Sequence, residues 1–285
     1  PAVGEAIVAL GSNDGDLIAL EASDGSLRWK IQLSSEVLAA PAIGRDIVVA
    51  QTVDGRLRAL DAADSSEMWT LEQTVPALSL RGGAPPVIAG DAVLAGFANG
   101  QLLAVSLAEG DEIWSTLISP ARGRTVLERL VDINTAVQVV GDDVYVVNFQ
   151  GRVASLALES GQVLWAREMS SYRGLGVDLS NLYVTNEIGE IVALERRTGE
   201  TLWLQESLRR RGLTAPVPFG SAVVAGDFEG YLHWLSPDTG ELIGRIRAGD
   251  AGISGRPLAA GERLFVLTDA GELTAWRVEP GLDQG

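Results

Sequence analysis

The chain has 285 residues and carries 22 basic against 38 acidic side chains, a formal net charge of −16. Such an acidic surface repels phosphate backbones, which argues against nucleic-acid binding. There is no cysteine and one histidine, so disulfides, thiol catalysis and cysteine zinc sites are excluded, and a Ser-His-Asp triad or His-rich metal centre has almost no raw material. No run of 18 or more apolar residues is present, so nothing reads as a membrane-spanning helix.

In chain order, a glycine that reads as a turn recurs with a second ten residues on, replaced once by serine. The pairs are Gly15/Gly25, Gly55/Ser65, Gly100/Gly110, Gly151/Gly161, Gly189/Gly199 and Gly230/Gly240, and Gly271 opens a further unit. Four residues after the second member stand Trp29, Trp69, Trp114, Trp165 and Trp203; the sixth unit has Gly244 there. The chain begins close to a strand at Glu5–Leu10, and no signal peptide is visible, so a trimmed or mature fragment is expected. Between the paired glycines run short alternating aliphatic segments such as Leu17–Leu20, bounded by Asp14-Gly15 and similar turn pairs, the pattern of strands and tight turns. Segments such as Ala40–Ile43 and Ala215–Val217 supply one more strand per unit. Four antiparallel strands in roughly 40 residues, repeated, is a β-propeller blade. The predicted class is therefore all-β, with about seven blades represented and residues 1–285 read as one propeller domain. The strands begin at the second of a blade and end at the third, near Trp276–Val278. One tryptophan per blade predicts packing between neighbouring sheets rather than a cofactor box.

All length variation falls between the tryptophan and the next first glycine. Two consecutive units carry insertions there, Leu71–Gly83 and Ser119–Asn134, and equivalent connections emerge on one face, so these two are expected to be neighbours. The first puts Leu78, Leu80 and Arg81 in a loop, where apolar residues read as a contact site or as a cap on the blade edge. In the second, Arg129 and Asp132 read as a solvated pair. A short helix is predicted at Leu204–Arg211, and Arg209-Arg210-Arg211 reads as a solvated face. His233 lies within a strand and is assigned a packing or hydrogen-bonding role. Asp14-x-Asp16 and Asp142-Asp143 lack the many-oxygen loop that calcium needs.

The units resemble the PQQ-type tryptophan-docking repeat, as in Ala22-x-Asp24…Trp29 and Thr198–Trp203. The strings Leu78-Ser79-Leu80-Arg81-Gly82-x-Ala84-Pro85, Arg129-Leu130-x-Asp132 and Gly226-Asp227-x-Glu229-Gly230-Tyr231-Leu232-His233-Trp234 resemble the BamB family, propeller lipoproteins of the bacterial outer-membrane β-barrel assembly (BAM) machinery. The resemblance covers the chain in register. It implies an eight-bladed ring on the periplasmic face of the outer membrane, held there by an N-terminal lipidated cysteine. That segment and one blade are expected to be missing from this sequence. It further implies a non-enzymatic scaffold without cofactor or metal, which binds the POTRA domains of BamA and assists the insertion of β-barrel clients. The family's contact residues carry over to Leu78, Leu80 and Arg81. The family's second contact element, Ser-Asp-x-Asp, appears as Val131-Asp132-Ile133-Asn134, so Asp132 matches and Asn134 stands where the family has an acid. Two other readings are a PQQ-dependent quinoprotein dehydrogenase, which shares the repeat, and a generic propeller adaptor of the cell envelope.

Overall fold

A computed structural model describes residues 1–277 except Glu5, Ala77, Arg81, Arg122, Gly123 and Val126. The chain divides into two compact units, Pro1–Tyr172 and Arg173–Gly285.

In the first unit the strands follow as β1 (Ala2–Val3), β2 (Ile7–Gly11), β3 (Asp16–Glu21), β4 (Leu27–Gln32), β5 (Ala42–Gly44), β6 (Ile47–Gln51), β7 (Arg56–Asp61) and β8 (Glu67–Glu72). They continue as β9 (Val87–Ala89), β10 (Ala92–Gly96), β11 (Gln101–Ser106), β12 (Glu112–Leu117), β13 (Gln138–Val140), β14 (Asp143–Val147), β15 (Arg152–Ala157) and β16 (Val163–Glu168). Each consecutive four form one antiparallel sheet in sequence order, and the first strands of the opening three sheets, β1, β5 and β9, adjoin in turn. In the second unit β17 (Leu175–Val177), β18 (Asn181–Thr185), β19 (Ile191–Glu195) and β20 (Thr201–Gln205) form one such sheet. Another is β21 (Val217–Phe219), β22 (Ala222–Gly226), β23 (Tyr231–Leu235) and β24 (Leu242–Arg247). Of the last sheet, three strands lie among the described residues: β25 (Leu258–Ala260), β26 (Arg263–Leu267) and β27 (Leu273–Trp276). The fold is thus all-β, a β-propeller of four-stranded antiparallel blades. Against the expected start at a second strand, Ala2–Val3 is a short first strand paired with Ala9 and Val8.

The repeat has a packing cause. Apart from Gly151, whose neighbour Gln150 takes the positive φ instead, the first glycines turn between the second and third strands with positive φ, +83° at Gly15 and +87° at Gly55, a region open to glycine at no steric cost. Three residues earlier a polar side chain commonly closes the turn: Ser12, Asn148, Asn186, Asp227 and Thr268 each accept the amide that follows the glycine. Three of the second glycines, Gly110, Gly161 and Gly240, lie under the preceding blade's tryptophan. A Cβ on Gly110 would sit 2.6 Å from the Trp69 ring, one on Gly161 2.5 Å from Trp114, and one on Gly240 2.4 Å from Trp203. The indole nitrogens then donate into the next blade, Trp29 to the Ala62 carbonyl, Trp69 to Leu107, Trp114 to Leu158 and Trp203 to Pro237. The tryptophans therefore pack between neighbouring sheets, and the ten-residue spacing is the register of that docking.

Within its own sheet each tryptophan faces a small residue on the third strand: Ala19, Ala59, Ala104, Ser155 and Ala193 oppose Trp29, Trp69, Trp114, Trp165 and Trp203. The sixth unit reverses the pair, with Trp234 on the third strand opposite Gly244. The bulk has crossed to the partner strand, which accounts for the tryptophan missing from position 244.

Two local expectations are corrected. Leu204 and Gln205 end strand β20, and the residues that follow form turns rather than a helix. A strand pairing with Ile191 and Val192 wins there over weak helical periodicity. The neighbouring arginines are not simply a solvated face: Arg209 pairs with Glu190 and Glu206, and Arg211 with Asp227 and Glu229.

Candidate partner-binding site

The first insertion leaves β8 at Gln73, whose amide bonds the Gly55 carbonyl. The segment then runs outward through Pro76 to Leu78, which is 41% exposed. Ser79 and Leu80 are half-buried. Gly82 and Gly83 follow at φ +142° and +71°, with open space where a Cβ would be, so backbone conformation rather than crowding calls for glycine here. Ala84 then drops into the core beside Leu94 and Ile133. Arg81, the third residue of the predicted contact, lies outside the described residues.

The second insertion begins at Ser119, whose hydroxyl bonds the Asn148 side chain at 3.2 Å. Its tip is a single 3₁₀ turn, Leu127–Arg129. Thr125 and Glu128 hold that turn reciprocally: the Glu128 amide bonds the Thr125 hydroxyl, and the Glu128 carboxylate accepts the amides of Arg124 and Thr125. This is a capping box, and those amides hold the Glu128 carboxyl below its ordinary range. The chain then turns inward, and Leu130, Val131 and Ile133 are buried. Ile133 occupies the space beside Gly96, where a Cβ would lie 2.3 Å from its Cγ2. The segment is pinned on both sides, by the Ile133 amide to the Phe97 carbonyl at 3.2 Å and the Phe149 amide to the Asp132 carbonyl at 3.0 Å.

These bonds place Asp132 at the junction of the two insertions. Its Oδ2 accepts the Leu80 amide. The expected proximity of the two loops is therefore present, and it is made by a backbone donor. Asp132 is 2% exposed, so it is not half of a solvated pair with Arg129; the apolar residues beside it pull it inside. Burial pushes its carboxyl up to about 6, against the Leu80 amide and its own amide, which favour the charged form. Asn134 donates weakly to the Tyr172 carbonyl at 3.4 Å.

Two concavities flank this junction. An open groove of about 410 Å³ runs between the insertions, lined by Pro76, Leu78, Ala98, Ala121, Arg129 and Val131. A smaller cavity of about 40 Å³ lies behind Leu80, and Asp132 and Asn134 line it with Gln51 and Phe97. Of the predicted contact residues, the fold brings Leu78, Leu80, Asp132 and Asn134 together. Gln51, a side chain 7% exposed at the end of β6, and Phe97 join them in the cavity lining, unmarked by the resemblance. Phe97 breaks the rule that the third residue before a first glycine is polar, and that departure was visible in the sequence.

The second unit holds the remaining polar constellation. Asp227 is fully buried and accepts from His233 Nε2 at 2.7 Å, Arg211 Nε at 2.6 Å and the amides of Glu229 and Tyr231. Burial alone would raise the Asp227 carboxyl, and these bonds outweigh it and hold it low. Burial likewise pushes the His233 imidazole down, against the pull of Asp227. The network braces a turn, the hydrogen-bonding role expected of His233. Among the described residues no group of three or more His, Cys, Asp or Glu is placed to hold a metal, and no helix is long and apolar enough to cross a membrane.

Fold and loops together define a β-propeller whose irregular connections build one recessed polar junction beside an apolar groove. The family model described as outer membrane protein assembly factor BamB matches residues 1–205 and 189–283, and the chain belongs to that family. An assembly factor BamB of Pseudomonas aeruginosa is 43% identical over 73% of this chain and 54% of its own length. One of Xanthomonas campestris pv. campestris is 37% identical over 98% of this chain and 68% of its own length. The chain thus spans about half to two-thirds of the curated relatives it matches. The crystal structure of BamB from Moraxella catarrhalis superposes with a TM-score of 0.92 at 29% identity, covering 97% of this chain and 84% of that one.

Proposed function

We propose that this chain is the propeller part of a BAM-complex subunit that docks on the POTRA domains of BamA and assists the assembly of β-barrel outer-membrane proteins. It works at the periplasmic face of the outer membrane, lipid-anchored in the full-length protein, as a scaffold without catalytic residues, cofactor or metal. One observation carries the reading: the two insertions that break the repeat meet through the Leu80 amide and Asp132, beside a groove lined by Leu78. An exposed leucine on a pinned loop suits a partner that buries it, since a buried leucine side chain contributes about 1.5–3 kcal/mol. Arg81, next in sequence to Leu80, belongs to the same proposed contact, as does Asn134. The dehydrogenase reading is not taken up, because the relatives that match along the chain are assembly factors. Co-purification of the chain with purified POTRA domains tests the proposal; no complex at tens of micromolar would overturn it.

A further inference from the structure

The 40 Å³ cavity behind Leu80 has an unusual lining. Three buried side-chain oxygens, Gln51 Oε1, Asp132 Oδ1 and Asn134 Oδ1, have no hydrogen-bond partner, and all three residues line it. Their orientations are fixed by their other atoms. Gln51 Nε2 donates to the Gly96 carbonyl at 3.0 Å and Asn134 Nδ2 to the Tyr172 carbonyl at 3.4 Å. A carbonyl only accepts, so neither amide can be turned to present its nitrogen. Asp132 Oδ2 is taken by the Leu80 amide, which leaves Oδ1. Among the described residues, Asp132 is the sole ionisable side chain of the lining.

We infer that this cavity is a binding site for a small nitrogen cation, the ammonium or guanidinium head of a basic side chain. Among the described lining residues the unpartnered buried side-chain atoms are three acceptors, which favour a ligand that donates, and a buried carboxylate favours an opposite charge. The volume corresponds to about three water-sized spheres, enough for either head group. A divalent metal fits poorly, since calcium takes about six to eight oxygens and the lining offers one carboxylate. The raised Asp132 carboxyl agrees, because burial disfavours its charged form and an adjacent cation would offset that cost. On the turn beside Thr52, Arg56 approaches Asp54 to 3.8 Å and Glu72 to 3.5 Å. That the head group arrives on a lysine or arginine of the docking partner rests on the function proposed above; the cation site itself does not.

The test uses the chain alone at pH 7.5. Its thermal midpoint is followed with methylguanidinium or methylammonium chloride against sodium chloride of equal ionic strength, together with the side-chain amide NMR signals of Gln51 and Asn134. At ten times the dissociation constant the midpoint should rise by about 3 °C, with both amide signals shifting, and the cation that acts distinguishes an arginine from a lysine source. Asp132→Asn, which keeps the shape, should abolish the response. Asn134→Asp should tighten binding at least threefold, a gain that a folding defect cannot mimic. A wild-type midpoint equal to that in sodium chloride, or an undiminished response in Asp132→Asn, would mean that the cavity holds water only and would overturn the inference. POTRA binding is measured on the same samples. A cation response without POTRA binding supports the site and sinks the docking reading alone.

Discussion

The amide of Leu80 donates to the carboxylate of Asp132 across 52 positions of sequence, so the loop after one blade is held by the loop after the next. This bond holds the backbone at Leu80, two residues after Leu78, whose side chain stays exposed. A partner would meet a leucine whose backbone is already restrained, which lowers the ordering cost of binding.

Leu78→Asp should therefore weaken POTRA binding at least tenfold, in the range of hot-spot losses of about 2 kcal/mol. Its thermal midpoint should move by no more than about 1 °C, because an exposed side chain contributes little to the core. Titration calorimetry and a melting curve check both. Unchanged affinity would remove the loop from the interface, and a large drop in midpoint would make Leu78 a packing residue.

Asp132 gives a pH dependence of definite sign. Its carboxyl is raised from 3.8 to about 6 in the folded chain, so between those values the folded state holds the proton that the unfolded state has lost. The stability this supplies is complete below about pH 3.8 and is lost as pH rises through 6. Asp132→Asn should gain stability relative to wild type from pH 4 to pH 7. Urea unfolding of both proteins at the two pH values reads the difference, and parallel behaviour would show that burial does not perturb the group.

The second glycines separate backbone strain from crowding. Gly25 has φ +74° and open space, whereas Gly110 has φ +76° and the Trp69 ring against it. Gly25→Ala should cost about 1 kcal/mol, the left-handed penalty alone. Gly110→Ala should cost a further 1–3 kcal/mol for overpacking. Equal losses in denaturant unfolding would mean that tryptophan docking does not set the spacing.

The exchanged pair Trp234 and Gly244 should couple. Trp234→Ala alone should cost about 3–5 kcal/mol and Gly244→Trp about 1–3 kcal/mol. The double variant, which restores the small-large order of the other sheets, should lose less than the sum by more than about 0.5 kcal/mol. Strict additivity would leave Gly244 unexplained.

The blades were legible in the sequence because turn chemistry is local. Gly15 and most of its equivalents take positive φ, and the alternation around Leu17 and Leu20 is set within a few residues. The adjacency of the two insertions was also legible, since equal places in successive repeats share a face. What the tertiary structure decided is how those insertions close. Asp132 reads in sequence as an ordinary surface acid; only the burial of Val131 and Ile133 on either side draws it in. Gln51 ends a plain aliphatic strand, and nothing nearby in sequence marks it as lining a cavity with Asp132 and Asn134. The sequence shows the recurrence of the second glycines but not its cause, because the ring that forbids a Cβ at Gly110 belongs to Trp69, one blade away. Local backbone preference is written residue by residue, whereas burial and the partners of a buried oxygen depend on chain that arrives from elsewhere.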